Sequence, residues 1–231
     1  MGNNLRSIQR VMMIFPPMFD LLDADTMCCP PLGIAYLGAF VRDIVDVSLL
    51  DALAEGACRR VPVSDKMELV GLSYDDIIDR VRCFHPDMVG FSCVFSNQFS
   101  PIKELSSRIK MEIDPDIVLV AGGTHPSFMP ERALNNTHLD FVVLGEGELT
   151  FRRLLEAHNK DHGVSAIDGL AYRDGDQVRV NPRLNWVEDL DALPFPARDL
   201  LPMEKYFQVN VPMGLHWRKR RNTPLITSRG C

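Results

Sequence analysis

The chain has 231 residues, of which 46% are hydrophobic and 24% charged, and a formal net charge of −6. These values are ordinary for a globular protein, and the acidic balance argues against a nucleic-acid-binding surface, which needs a basic face. No run approaches the ~20 apolar residues of a membrane span. Residues 1–10 lack the apolar core of a signal peptide, so we expect a cytosolic protein.

Strand-like and helix-like segments alternate through the first 160 residues. Short apolar runs bounded by turn residues predict buried strands, and apolar periodicity with capping residues predicts helices. In chain order, the sequence predicts a strand at 11–15, a loop at 18–30, a helix at 32–43, a strand at 45–50, a helix at 73–83, a strand at 88–95, a helix at 101–111, strands at 117–121 and 141–144, and a helix at 148–158. Strands separated by helices indicate an α/β fold, a doubly wound, flavodoxin- or Rossmann-like five-stranded parallel sheet.

The pattern changes after about residue 160. Residues 167–180 predict a hairpin that turns at an Asp-Gly-Asp sequence, and a proline-stiffened connector follows at 193–197. The basic run at 218–221 is expected to be solvated. Residues 224–227 then predict the first strand of a further domain, shortly before the last residue, Cys231.

The loops after the strands are the places to look for a ligand, because doubly wound sheets bind ligands beyond the carboxyl ends of their strands. Residues 16–25 contain prolines and aspartates rather than the small hydroxyl residues of a flavin-phosphate loop. A phospho-acceptor domain would place an aspartate after the third strand, where this chain has Ser92, Cys93 and Ser96. Both common ligands of flavodoxin-like sheets therefore fit poorly.

Hydroxyl residues and paired glycines occupy the rim instead. Ser92, Ser96 and the amide of Asn97 either contact a ligand or, in the case of Ser96 or Asn97, cap the next helix. Gly122 and Gly123 either form a tight turn or let a bulky group approach the backbone. His125 follows them, and an isolated histidine more often fills or caps than ligates.

The fifth loop, Gly145-Glu146-Gly147-Glu148, resembles half a dinucleotide fingerprint. Its two carboxylates stand where a pyrophosphate would need bare N–H groups, so we set that reading aside. The carboxylates could accept hydrogen bonds from neutral amides, or Glu148 could simply complement a helix N-terminus. The whole rim is uncharged or acidic and suits a large ligand rich in primary amides, such as a corrin.

Several segments together resemble cobalamin-binding radical S-adenosylmethionine (SAM) enzymes. Their order and spacing cover residues 10–231. The matching segments are PPLGIAYL at 30–37, PDMVGFS at 86–92, AGGTHPS at 121–127, GEGE at 145–148, GLAYR at 169–173, LDALPFPA at 190–197 and TSRGC at 227–231.

The resemblance implies a cobalamin-binding domain at 8–160, a hairpin and proline-rich linker at 161–222, and the start of a truncated radical SAM barrel at 223–231. In this family the nucleotide tail of cobalamin inserts beside the sheet, which here implicates Ser92, Ser96, Gly122 and Gly123. The corrin rests across the strand ends, and its implied neighbours are Leu32, Gly33, His125, Gly145 and Glu146.

The sequence differs from related cobalamin-binding proteins in two ways that bear on its function. Residues 16–30 contain no histidine, so the loop after the first strand cannot supply a cobalt ligand in the manner of methionine-synthase-type domains. We therefore expect base-off binding without a histidine ligand, with His125 as an alternative ligand. Cys231 is the only one of the family's three cluster cysteines present, so a [4Fe–4S] cluster and SAM are expected in the full-length parent alone.

The resemblance implies a fragment that is inactive by itself, whose partners are cobalamin and the missing barrel. The parent would be a methyltransferase acting on unactivated carbon or, alternatively, a radical SAM oxidative cyclase. A stand-alone, non-catalytic cobalamin-binding module and a nucleotide-binding flavodoxin-like module are the rivals from other classes. The helix at 32–43 is apolar nearly all round, so we expect burial on more than one side, and oligomers where its cover is missing.

Overall fold

The computed structural model describes residues 7–159, 163–209, 211 and 221–229. The strands are β1 (Arg10–Phe15), β2 (Met18–Leu21), β3 (Asp46–Asp51), β4 (Arg60–Pro62), β5 (Met67–Val70), β6 (Met88–Ser92), β7 (Val118–Gly122), β8 (Phe141–Val143), β9 (Leu170–Asp174) and β10 (Gln177–Val180). The α-helices are α1 (Leu32–Val41), α2 (Ala52–Glu55), α3 (Tyr74–Phe84), α4 (Phe99–Glu112), α5 (Thr124–Phe128), α6 (Pro130–Asn135), α7 (Glu148–Asn159) and α8 (Met203–Val209).

A seven-stranded sheet in the order β10-β9-β8-β7-β6-β1-β3 forms the centre of the fold. The five strands from β3 to β8 in this order are mutually parallel, and the chain starts at β1 and winds outward in both directions. This confirms the doubly wound parallel sheet predicted from the sequence. The carboxyl ends of β1, β6, β7 and β8 therefore share one edge.

Alternating strand residues pack into two separate hydrophobic cores, one on each face of the sheet. Val11 and Met13 of β1 pack on the side covered by α1 and α7. Met12 and Ile14 pack on the other side, under α3 and α4. The predicted helix start at Ser73 is confirmed, because its hydroxyl and the Asp76 carboxylate form a reciprocal capping box.

Helix α1 is buried on more than one side, as its composition predicts. Ile34, Ala35, Gly38 and Val41 are buried, and the helix contacts β1, β3 and α7. It ends at Val41, two residues earlier than predicted.

The predicted hairpin forms β9 and β10, and it extends the main sheet. Strand β9 pairs antiparallel with β8, with Ala171 opposite Val142. Leu170 and Ala171 are fully buried, which explains why the hairpin lies in the sheet. The sequence alone placed this hairpin in a linker.

A second sheet, in the order β2-β5-β4, was not predicted. Strand β2 lies within residues 18–30, which were expected to be a loop. Its strands have three or four residues each and pair antiparallel, β4 with its chain neighbour β5, and β2 with β5 across a long sequence separation. Such short strands carry too few alternating positions to be recognised from periodicity.

Residues 224–227, for which a barrel strand is expected, pair with no strand of the described chain. Leu225 of this segment is 74% exposed. Within the described ranges, no helix is long and apolar enough to cross a membrane.

Candidate functional site

Two adjoining cavities open at the carboxyl edge of the main sheet. The inner cavity, of about 230 Å³, lies between the sheet and helices α1 and α7. The outer cavity, of about 650 Å³, lies between the ends of β1 and β6, β2, the loop before α1 and residues 224–226. Gly33, Ser92, Val94 and Ile226 line both, so the two cavities share a wall.

The floor of the inner cavity is built from two rows of paired strand residues. Met13, Gly90 and Val120 form one row across β1, β6 and β7. The next row toward the edge is Ser92, Gly122 and Val143. A glycine stands in the middle of each row, and the walls are mainly apolar, with Ile34, Leu37 and Phe151 added from the helices.

Three of the lining glycines stand at positions where a Cβ atom would cause no clash. A Cβ placed on Gly33 would meet no atom within 4 Å. On Gly90 it would lie 3.7 Å from Met13 Cγ, and on Gly122 it would lie 3.7 Å from the Val143 carbonyl oxygen. These are ordinary contacts, so the fold tolerates a side chain at all three positions and the missing Cβ atoms contribute cavity space.

Two other glycines are required by the backbone itself. Gly123 has φ +106° and its Cβ would lie 2.7 Å from the Cys93 carbonyl oxygen. Gly145 has φ +66°, and its N–H donates to Ser127 Oγ at 2.9 Å. The close-approach interpretation thus suits Gly122, and the tight-turn interpretation suits Gly123.

Most of the site residues predicted from the sequence are brought together here. The inner cavity is lined by Gly33, Ser92, Gly122, Gly123, Gly145 and Glu146. The outer cavity is lined by Leu32, Gly33 and Ser92. Cys231, predicted as a cluster ligand, lies outside the described residues, and within them no group of three or more His, Cys, Asp or Glu side chains could hold a metal.

Ser96 and His125 form a separate contact at the rim and are not among the described lining residues of either cavity. Ser96 Oγ lies 2.9 Å from His125 Nδ1, and the imidazole packs against the Phe99 ring at 4.8 Å between centroids. Burial, together with the nearby charge of Arg132, lowers the pKa of His125. This lowering of the pKa favours the neutral form of the imidazole.

Neither Ser96 nor Asn97 caps the helix after β6, because α4 has no side-chain hydrogen bond at its N-terminus among the described residues. Gln98 Oε1 accepts hydrogen bonds from the backbone N–H groups of Val94 and Phe95, each at 3.0 Å. This amide holds the loop after β6 in place and leaves Ser96 free to contact His125.

Asn97, which the sequence offered as a ligand contact or a helix cap, lines the outer cavity. Its Nδ2 donates to the Phe19 carbonyl oxygen at 2.6 Å. Its Oδ1 is buried at the wall of the outer cavity and has no hydrogen-bond partner among the described residues. Because Phe19 belongs to the unpredicted strand β2, the sequence offered no means of orienting this amide.

The carboxylates of the fifth loop are paired with arginines, which the sequence did not indicate. Glu146 lies 3.3 Å from Arg183, and Glu148, the first residue of α7, lies 2.7 Å from Arg229. Burial alone would lower the pKa of the Arg229 guanidinium, but its hydrogen bond to Glu148 and the negative charges of both glutamates raise it. The acidic end of the inner cavity is thus neutralised.

Asp51 is a buried acid beside this region that belongs to neither cavity wall. It ends β3, accepts a hydrogen bond from the Ala54 N–H at 2.9 Å and another from the Tyr206 hydroxyl at 2.7 Å. Burial raises the pKa of its carboxyl to about 7, against the lowering effect of these hydrogen bonds. The contact ties α8 to the carboxyl edge of the sheet.

Comparison with known families decides the identity of the fold. Residues 21–155, which include α1 and the loops after β6, β7 and β8, match the family model described as B12 binding domain. The chain belongs to the B12-binding domain family.

Curated relatives of this B12-binding chain include two methyltransferases and a cyclase. An uncharacterized methyltransferase of Pyrococcus horikoshii is 32% identical over 97% of the chain and 44% of its own length. The cytidylyl-2-hydroxyethylphosphonate methyltransferase of Streptomyces wedmorensis is 32% identical over 98% of the chain and 47% of its own length. The anaerobic magnesium-protoporphyrin IX monomethyl ester cyclase of Rubrivivax gelatinosus is 29% identical over 87% of the chain and 33% of its own length. The chain thus spans less than half the length of these relatives.

Solved structures share the fold of this B12-binding domain. The cobalamin-dependent SAM radical enzyme OxsB, with aqua-cobalamin and SAM bound, superposes with a TM-score of 0.66 at 21% identity, over 85% of the chain and 25% of its own. The radical SAM methyltransferase TsrM from Kitasatospora setae, with cobalamin and a [4Fe–4S] cluster bound, gives 0.58 at 17% identity, over 77% of the chain and 31% of its own. The Rossmann-like cobalamin-domain fold predicted from the sequence is confirmed.

Proposed function

We propose that the chain binds cobalamin in the base-off form, with the nucleotide tail in the inner cavity and the corrin across the outer one. The observation that carries this is the pair of glycine-centred rows beneath α1 and α7. They form an apolar slot at glycines whose backbone conformation would also allow a side chain. A flat aromatic base fits such a slot better than a charged phosphate chain does.

The residues assigned to this ligand follow from the two cavities. Ser92, Gly122 and Gly123 lie on the floor and rim of the inner cavity, where the tail enters. The corrin would rest against Leu32 and Gly33 on one side. Gly145 and Glu146 border the opposite end of the inner cavity.

Asn97 supports an amide-rich ligand in the outer cavity. Its Nδ2 donates to the Phe19 carbonyl oxygen, and its buried Oδ1 has no hydrogen-bond partner among the described residues. A buried acceptor without a partner is costly, and a primary amide of the corrin edge would satisfy it.

The Ser96–His125 pair is assigned to the corrin rim rather than to cobalt. The loop at 16–30 has no histidine to offer. The position of His125 outside both described linings favours a cobalt without a histidine ligand, and His125 stays the alternative ligand.

We further propose that this domain works inside a longer radical SAM enzyme that methylates an unactivated carbon. Two relatives named as methyltransferases match nearly all of the chain and are more than twice as long. In that protein Cys231 would help to hold the cluster, and the cluster with SAM would supply the radical chemistry. We also propose that the partner of this domain is the radical SAM barrel of the longer protein, and that the protein is cytosolic.

An oxidative cyclase is the second candidate, favoured by the relative from Rubrivivax gelatinosus. A stand-alone cobalamin module is the third, and coding sequence with cysteines at the fourth and seventh positions after Cys231 would exclude it.

A visible-absorbance titration with hydroxocobalamin tests the binding proposal. We expect saturable binding, and weaker binding of cobinamide, which keeps the corrin and lacks the nucleotide tail. Equal affinity for the two ligands would contradict the assignment of the tail to the inner cavity. Preferential binding of flavin mononucleotide would support the flavodoxin-like alternative instead.

A further inference from the structure

Residues 221–229 run across the mouths of both cavities. Leu225 lines the outer cavity, Arg229 lines the inner cavity, and Ile226 lines both. The segment therefore forms an outer wall for the space assigned to cobalamin, although it makes no strand of its own.

Arg198 holds the beginning of this segment. Its Nε donates to Thr223 Oγ1 at 3.1 Å, and its Nη2 donates to the Pro224 carbonyl oxygen at 2.8 Å. The segment is thus tied to the chain that precedes α8 before it reaches the cavities.

Arg229 holds the end of the segment. Its Nη2 donates to Glu148 Oε1 at 2.7 Å, its Nη1 lies 3.9 Å from Glu146 Oε2, and its guanidinium lies 5.1 Å above the Tyr36 ring. Tyr36 belongs to α1 and Glu148 begins α7, so one side chain bridges the two helices that enclose the inner cavity.

The ion pair between Glu148 and Arg229 is withdrawn from water. Their side chains are only 6% and 15% exposed. Most ion pairs between described residues involve more exposed groups, such as Arg221 with Glu204 at 70% and 66%. Neutralising Glu148 would leave Glu146 Oε2, at 3.9 Å, as the counter-charge of the Arg229 guanidinium, so Arg229 would be held less firmly in its place.

We propose that Glu148 is a positioning residue that docks the segment leading to Cys231 onto the cobalamin site through Arg229. The contact fixes the place of Arg229 against α7, and because two residues span at most about 7 Å, the Cys231 backbone must lie within about that distance of it. The pair would thereby set where a cluster thiolate begins relative to the corrin. The functional part of this inference rests on the proposed cobalamin binding, whereas the docking contact does not.

Arginine labelling of the full chain with phenylglyoxal, followed by peptide mass spectrometry, measures the contact directly. We expect Arg229 to react about tenfold more slowly than Arg221 in the unaltered chain, because its guanidinium is paired and buried. Glu148→Gln should weaken that protection, and Glu148→Asp, which keeps the charge, should retain more of it.

Matched controls separate docking from general unfolding. Glu204→Gln, which neutralises the exposed pair, should leave the labelling of Arg229 unchanged. Arg152, on the same helix as Glu148 and 2.8 Å from Asp43, should stay protected in Glu148→Gln. Faster labelling of Arg152 and Arg229 together would mean that α7 had unfolded, and would overturn a specific docking role.

The result that overturns the proposal is an Arg229 that reacts as fast as Arg221, or one whose rate is the same in Glu148→Gln as in the unaltered chain. A hydroxocobalamin titration of the same samples keeps the two proposals apart. Failure of the unaltered chain to bind cobalamin would count against the proposed function and leave the docking contact standing.

Discussion

Ser92 and Gly122 are paired residues of β6 and β7, side by side at the carboxyl edge of the sheet, and both face the inner cavity. The Ser92 hydroxyl thus lies next to a position that has no side chain, Gly122. The sheet continues on the far side with Val143. The Ser92 hydroxyl therefore lies beside the space above Gly122, which is the space that we assign to the nucleotide tail.

Gly122→Val fills that slot. Valine suits a strand, and the space at Gly122 accepts a Cβ at 3.7 Å, so we expect the fold to persist. Cobalamin affinity should fall by about ten- to a hundredfold, since overfilling a packed site costs about 1–3 kcal/mol. Absorbance titration and thermal unfolding measure the two effects. Gly163→Val is the control, because Gly163 is not among the lining residues of either cavity. Equal affinity for Gly122→Val and the unaltered chain would refute the assignment.

Gly33→Ala is expected to move stability and binding in opposite directions. Alanine is the better helix former, and nothing lies within 4 Å of the new Cβ, so α1 should gain about 0.5 kcal/mol. The methyl group would protrude into both cavities and should weaken cobalamin binding about tenfold. Denaturant unfolding measures the free energy of unfolding, and ligand titration measures the affinity for cobalamin. A variant that is more stable and binds equally well would show that Gly33 does not contact the ligand.

Asn97→Ala tests whether the unpaired Oδ1 accepts a hydrogen bond from the corrin edge. We expect affinity for cobinamide to fall about tenfold, which corresponds to one lost hydrogen bond of about 1–1.5 kcal/mol. The heptamethyl ester of cobyrinic acid has esters in place of the amide N–H donors, so its affinity should change little. An equal loss for both ligands would mean that the asparagine shapes the cavity without pairing with an amide.

Asp51 should make the stability of the domain depend on pH. Its pKa of about 7 in the folded chain lies above the ordinary value of 3.8, so its favourable contribution is complete below about pH 4 and is lost as the pH rises through 7. The free energy of unfolding relative to Asp51→Asn should therefore fall by about 2–4 kcal/mol between pH 5 and 8. Asp199→Asn is the control, because the side-chain hydrogen bond from Arg42 lowers the pKa of the exposed Asp199 and confines its effect to more acid solutions. Parallel pH profiles for the unaltered chain and Asp51→Asn would refute the assignment.

The central sheet could be predicted because its strands are buried on both faces. Apolar runs such as Val11 to Phe15 satisfy both cores at once, and the helices between them carry clear apolar faces. Topology indicated which loops to examine, since loops after parallel strands must meet at one edge, and the resemblance to cobalamin-binding radical SAM enzymes supplied the individual site residues.

The parts that could not be predicted depend on contacts distant in sequence. The amide of Asn97 is oriented by Phe19, on a strand too short to leave a periodic pattern. Glu148 looks like an ordinary first-turn acid until Arg229 is placed beside it. Gly90 is a glycine within a strand run, and only the register shows that it stands between Met13 and Val120.

The electron paramagnetic resonance spectrum of bound cob(II)alamin, recorded in a nitrogen-free buffer, tests the account most directly. If the tail base occupies the inner cavity and no histidine replaces it, the cobalt hyperfine lines will show no nitrogen splitting. Three-fold splitting of those lines would mean that a nitrogen remains on cobalt, and would contradict the base-off, histidine-free site.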